Sequence, residues 1–295
     1  MKWAFRFQKI TPKRTAQIVR ANDILEEYAE QGYRLTLRQL YYQLVARDLI
    51  PNVVREYAKL SETCVIGRMN GLIDWDAMED RLRKPYLTYA VDSIEEAIED
   101  TITQYRRNRQ EGQPCNIEIW TEKDAVSNIL KRVSIYYHTR LMVNRGYTSC
   151  SAMYEAFNRV DKAPNDDGSA ILYVGDHDPS GLDMVRDIDD RLNEFGVKCL
   201  IVKQVALTRT QIDKYNLPPN PAKVTDPRAK LYIKEYGFES WELDALKPDV
   251  LHDIVYDAVL DEIDVGKVNA IIAKEDSDKD RLKKIIGEIN ETQDN

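Results

Sequence analysis

The sequence predicts an α/β fold with three parts. An N-terminal winged-helix (helix-turn-helix) module comes first. A mostly parallel sheet with helices on both faces follows, and a helical C-terminal tail ends the chain. Three observations predict this. Residues 1–90 carry three short helical patterns and a small β-like stretch in a mildly basic setting. From Asn116, short apolar runs alternate regularly with amphipathic segments. After Pro248 the apolar residues recur only at helical spacing.

In order, Thr11-Pro12 marks a helix start, and Ile18, Ala21, Ile24, Leu25 and Tyr28 keep helical spacing to about Gln31. Gly32 stops it. Thr36 with Gln39 three residues on is a capping-box pattern for a second helix, LRQLYYQLVARDL, which ends before Pro51. A third helix is expected over 54–69, and Leu72, Ile73 and Trp75 read as a short strand or wing. Residues 91–114 supply a connecting helix and the linker Gln110–Pro114.

The sheet region, 115–250, begins with strand IEIW and a helix over about 124–136. Strand RLMV, a helix near 149–159, strand AILYV, a helix near 181–194 and strand KCLIVKQV follow. This βαβα order predicts parallel strands whose ligands sit beyond their carboxyl ends. Residues 251–295 form C-terminal helices, in which Val268, Ile271, Ile272, Leu282, Ile285, Ile286 and Ile289 mark one apolar face.

Composition narrows the function classes. The net charge of −8 argues against a protein that coats nucleic acid non-specifically, while the basic first seventy residues fit local contact with a polyanion. Four scattered cysteines and three histidines form no zinc or disulfide pattern. No apolar run is long enough to span a bilayer, and the basic N-terminus lacks the features of a secretory signal. A cytoplasmic protein without membrane contact is expected.

The chemistry concentrates in Ala170–Gly181, AILYVGDHDPSG. Asp176 and Asp178 lie two residues apart at the end of a strand, so their carboxylates point the same way. They form either a solvated acidic turn or a site for Mg²⁺, which binds through one or two carboxylates plus substrate phosphate. Glu122 follows the first strand and Arg145 the second, so separate strands deliver acidic and basic groups to one edge. His177, between the aspartates, should point away from that site.

Further segments resemble a known family. A glutamate ending one strand and a later D-x-D ending another are similar to the TOPRIM domain of topoisomerases, primases and some nucleases. WTEKDA (120–125) resembles the VEKDA-type segment of the topoisomerase VI A subunit and of the meiotic double-strand-break transesterases. LMVNRGYTS (141–149), GDHDPSG (175–181) and ESWELDAL (239–246) resemble later segments of that family, with Thr148 standing where proline is usual. RQLYYQLV (38–45) resembles its R-x-x-Y-Y motif, whose second tyrosine corresponds to Tyr42. The motifs span residues 34–246 in family order. The chain looks like a reduced A-type protein of the kind found on mobile elements, without an ATPase domain.

The resemblance implies a Mg²⁺-dependent DNA transesterase, akin to a type IIB topoisomerase (isomerase). Tyr42 would be the nucleophile forming a 5′-phosphotyrosyl break, Arg38 its neighbour at i−4, and Glu122, Asp176 and Asp178 the metal ligands. Glu122 is alternatively a general acid/base. Lys123 and Arg145 would contact DNA phosphates, and Glu242 is a weaker candidate for the same site. The tyrosine of one protomer works with the metal site of the other, implying a homodimer, with a separate ATPase subunit as a further possible partner.

By helix geometry alone, Tyr41 shares a face with Leu37, Leu44 and Val45, whereas Tyr42 is turned toward where DNA would lie. Its ordinary phenol pKa, ~10, requires help from a cation such as Arg38. Two other readings stay open: a TOPRIM nuclease using metal-activated water with both tyrosines structural, and a non-catalytic winged-helix regulator.

Overall fold

The computed structural model describes residues 2–78, 89–144, 146–161 and 168–293. Arg145 lies outside the described residues.

Helix α1 (Pro12–Glu30) starts where Thr11 accepts a hydrogen bond from Arg14 N–H and Pro12 occupies the first turn. Helix α2 (Leu37–Ala46) opens on the expected capping box. Thr36 Oγ1 accepts from Gln39 N at 3.2 Å, and Gln39 Oε1 accepts from Thr36 N at 2.9 Å. With α3 (Val54–Met69) these helices bury Ile18, Leu25, Tyr28, Leu40, Leu44 and Leu60.

The stretch Leu72–Trp75, expected as a strand, is a turn leading into a 3-10 helix, Trp75–Ala77. Asp74 Oδ1 accepts from Asp76 N at 2.8 Å, and Arg68 donates to the Trp75 carbonyl at 2.7 Å. Side-chain hydrogen bonds of this kind compete with strand pairing. β contact here consists of single bridges, Ala4 with Asn70 and Leu35 with Met78. Residues 79–88, where the rest of a wing would fall, lie outside the described residues.

After α4 (Ile94–Gln104), capped by Ser93, come four parallel strands. They are β1 (Asn116–Thr121), β2 (Arg140–Val143), β3 (Ser169–Val174) and β4 (Leu200–Ala206), in the spatial order β2-β1-β3-β4. Helices α5 (Ser127–Tyr137), α6 (Cys150–Asp161) and α7 (Pro179–Glu194) make the crossovers. Central β1 and β3 are buried on both faces, as their continuous apolar runs require.

Period-two alternation sorts the side chains. Ile117, Ile119, Leu172 and Val174 pack with α5 and with α10 (Pro248–Leu260), in an apolar cluster continuous with the N-terminal helices. Trp120, Ile171 and Tyr173 pack with Met153, Ala156, Met184, Ile188 and Leu192 of α6 and α7. At the foot of β3, Gly168 adopts φ +84°, and a Cβ there would stand 2.0 Å from the Cys199 carbonyl oxygen, so only glycine fits.

The remainder comprises α8 (Arg209–Tyr215), β5 (Asn220–Pro221), α9 (Ala229–Tyr236) and β6 (Glu239–Ser240). A 3-10 turn (Leu243–Ala245), α10 and the long α11 (Val265–Gln293) complete it. Strands β5 and β6 form an antiparallel pair. Among the described residues, no helix is long and apolar enough to cross a membrane.

Candidate active site at the strand edge

The strand order reverses between β1 and β3, so the loops leaving their carboxyl ends diverge and open a crevice. Glu122 and Lys123 follow β1, and Asp176, His177 and Asp178 follow β3. The crevice is closed from above by residues 241–244. His177 N donates to the Trp241 carbonyl at 2.9 Å, and Trp241 N donates back to the His177 carbonyl at 3.0 Å. This bridge carries Glu242 and Asp244 to the same edge.

The two aspartates, two residues apart in sequence, are held differently. Asp176 is buried; its Oδ1 accepts from Leu243 N at 2.7 Å and lies 2.6 Å from Lys123 Nζ. Asp178 caps α7, with Oδ1 accepting from Gly181 N at 2.7 Å and from Ser180 Oγ at 2.9 Å. The His177 ring packs among Tyr232, Tyr236 and Trp241, and its Nδ1 meets Tyr232 Oη at 3.0 Å.

Lys123 is the hub. Besides Asp176, its ammonium meets Glu242, and Asp244 at 3.1 Å. Arg38, on α2, pairs with Glu242 at 2.7 Å and with Asp244 at 3.1 Å. Burial works against the Lys123 charge, but Asp244, Asp176 and Glu242 outweigh it and hold the ammonium protonated. Glu242 is pushed up by burial yet drawn down to about 2 by Lys123 and Arg38. Three carboxylates share two cations, and the excess falls on Asp176, whose carboxyl is pushed well up by burial despite Lys123. Neither Lys123 nor Arg38 is free in this arrangement to grip a phosphate.

Glu122 has no ion-pair partner among the described residues. Burial pushes its carboxyl up, and the Asp178 carboxylate adds to the effect. Beneath them the wholly buried Tyr173 hydroxyl has no hydrogen-bond partner. Its phenol is pushed up by burial and then by Glu122, Asp176 and Asp178. Among the described residues no three His, Cys, Asp or Glu side chains group closely enough to hold a metal ion. Glu122 and Asp178, neither of them ion-paired among the described residues, offer carboxylate oxygens of the kind that hold a cation whose other ligands come from water or phosphate.

The expected outward face of Tyr42 is not outward: the side chain is 6 % exposed. It is covered because α2 packs its polar face against residues 243–246 instead of leaving it to solvent. Gln39 Nε2 donates to the Ala125 carbonyl at 3.3 Å and Gln43 Nε2 to the Leu246 carbonyl at 3.5 Å. Tyr42 Oη accepts from Asn220 Nδ2 at 3.2 Å, its ring meets Tyr41 edge-on at 5.3 Å, and the Arg38 guanidinium stands 5.6 Å from its centre. Burial and Glu242 push its phenol up to about 12, against Asn220, Arg38 and Lys123. Asn220 Oδ1 in turn accepts from Asn52 Nδ2 at 2.5 Å, and Tyr41 Oη donates to Asn52 Oδ1 at 3.1 Å.

Scans of protein-family profiles, curated proteins and solved structures find no match to this chain.

Asp244, absent from the residues expected at the site, stands two residues after Glu242, the same spacing as Asp176 and Asp178. Asn220, in the proline-flanked two-residue strand β5, carries no signal of its own. Glu118 is buried on the α6 face of β1, where Arg159 binds its two oxygens at 3.0 Å each and Trp120 Nε1 donates at 2.9 Å. That pair ties α6 to the sheet and lies away from the crevice.

Proposed function

We infer that the chain is a Mg²⁺-dependent DNA-cleaving transesterase of the topoisomerase VI A type, with a winged-helix-like N-terminal module and a TOPRIM-like edge. One observation carries this reading. The Tyr42 ring stands beside the Arg38 guanidinium, and Arg38 is joined to the acidic strand edge through Glu242, Lys123 and Asp176. Tyr42 would attack a DNA phosphorus, the phenol proton passing to a nearby base and the 3′ oxygen leaving. Glu122 and Asp178 would hold the cation, which when bound supplies positive charge to the phosphate and the leaving oxygen. Asp176 and Glu242 position Lys123, and Arg38 screens the phenol oxygen. The expected partners are DNA and a second copy of the chain.

A second reading rests on the burial of Tyr42 and its raised phenol, which leave it a poor nucleophile as it stands. In that reading the edge hydrolyses DNA with metal-activated water and the tyrosines hold the helices together.

One experiment separates the two. Supercoiled DNA is incubated with the protein and Mg²⁺ and quenched with detergent. Protein covalently bound to DNA 5′ ends, lost in Tyr42→Phe and in Glu122→Gln, supports the transesterase. Free nicked or linear DNA, unaffected by Tyr42→Phe and abolished by Glu122→Gln, supports the nuclease. DNA left intact under all conditions removes both.

A further inference from the structure

Three aromatic side chains crowd an exposed strip at the amino terminus. Trp3, Phe5 and Phe7 are 59 %, 66 % and 93 % exposed. The strip is nevertheless anchored: the Phe5 and Arg6 N–H groups donate to the Met69 carbonyl at 2.8 and 2.9 Å, and Gln8 N donates to Asn70 Oδ1 at 3.0 Å. Trp75 braces it, donating from Nε1 to the Trp3 carbonyl at 3.1 Å and meeting the Phe5 ring edge-on at 5.7 Å. Arg68 stacks 4.8 Å over Trp75.

Exposed aromatics held by a fixed backbone present ring faces to solvent at a cost in hydration. Interleaved with them are cations. Among the described residues Arg6, Lys9 and Lys13 take no ion pair, whereas Lys2 and Arg14 are occupied by Glu26 and Glu62. In a chain of net charge −8, that local set of free cations beside unstacked rings selects a ligand with both phosphates and accessible base faces. Duplex DNA keeps its bases stacked on each other. A single strand offers them, and base–aromatic stacking with a cationic track is how such strands are held.

We propose that this strip binds single-stranded nucleic acid, with bases stacking on Trp3, Phe5 and Phe7 and phosphates meeting Arg6, Lys9 and Lys13. The strip shares no residue with the crevice, and its binding is measured without cleavage, so this proposal and the transesterase reading fail independently.

The test uses the full chain in EDTA, titrated with oligothymidylate and, separately, with a duplex of the same length. Trp120 and Trp241 are buried, so quenching of tryptophan emission reports on Trp3 and Trp75. The expected result is saturable quenching by the single strand. Phe5→Ala with Phe7→Ala should weaken single-strand binding about tenfold or more, leaving duplex affinity unchanged. Trp3→Phe should keep the affinity while removing most of the quenching. Because these side chains are solvent-exposed, the far-UV spectrum should stay that of the parent. Single-strand affinity unchanged in the double variant overturns the proposal, and so does an equal loss on single strand and duplex.

Discussion

Lys123 Nζ lies 2.6 Å from Asp176 Oδ1, so the lysine beside the proposed metal edge is bound to one of its acids. The same ammonium serves Glu242 and Asp244, the latter almost wholly buried. Removing one partner of a buried ionic cluster leaves uncompensated charge, which costs on the order of 3–5 kcal/mol. Lys123→Met is therefore expected to lower the thermal midpoint strongly in EDTA. Mg²⁺ should restore part of the loss, because a divalent cation can take up the released carboxylates. Equal midpoints with and without Mg²⁺ would show that no cation reaches this edge.

Asp178 does two things that one pair of substitutions separates. As the cap of α7 its carboxylate accepts from Gly181 N, and Asn caps a helix about as well, whereas Ala loses roughly 1 kcal/mol. Asp178→Asn should keep the parent's denaturant midpoint yet lose Mg²⁺-dependent cleavage, while Asp178→Ala should lose both. Full cleavage by Asp178→Asn would reduce the residue to a cap.

Gly181 allows the α7 start to pass against the Asp176 backbone: a Cβ there would stand 2.2 Å from the Asp176 carbonyl oxygen. Gly181→Ala must push α7 away from the edge. The expected loss is about 1–3 kcal/mol by denaturant titration, the usual range for overpacking, with cleavage reduced further than stability.

Glu118 and Arg159 supply a control away from the crevice. Glu118 is fully buried, and Arg159→Met should cost up to about 3–5 kcal/mol by leaving that carboxylate, among the described residues, with only Trp120 Nε1 and the more distant Arg140, at 4.0 Å. Glu118→Gln with Arg159→Met should recover much of it, since the charge is then gone. Neither change should alter the ratio of covalent to free cut DNA.

At alkaline pH the buried phenols govern stability. Tyr42 is pushed up to about 12, and Tyr28, Tyr173 and Tyr232 are also raised by burial. The folded chain keeps these protons while the unfolded chain releases them near ~10, so unfolding releases protons. Their contribution is complete below pH ~10 and falls as pH rises beyond it, Tyr42's share being lost through about 12. The denaturation midpoint should fall steeply over that window, and Tyr42→Phe should make the fall shallower.

Much of this architecture is legible in the residues. The four strands follow from apolar runs bounded by breakers, and Thr36 with Gln39 places the start of α2. The acidic edge is legible because charged residues follow the ends of β1 and β3 in a parallel sheet. Two features escape. Leu72–Trp75 has the composition of a strand, but the Asp74 side chain takes the backbone into a 3-10 turn. The burial of Tyr42 depends on residues 220 and 242–246, about two hundred positions away, and helix periodicity says nothing about what a distant loop will cover.

The Asn220 amide clasps two segments at once, giving a hydrogen to Tyr42 and taking one from Asn52. A phosphate can approach the Tyr42 oxygen only after that clasp lets go. If Tyr42 attacks DNA, the competent form is thus a minority population, and apparent DNA affinity is scaled down by its fraction. Under excess DNA the first turnover then reaches a ceiling rate set by the protein alone. On that reading, Asn220→Ala should raise that ceiling by removing the hydrogen bond that holds the Tyr42 oxygen.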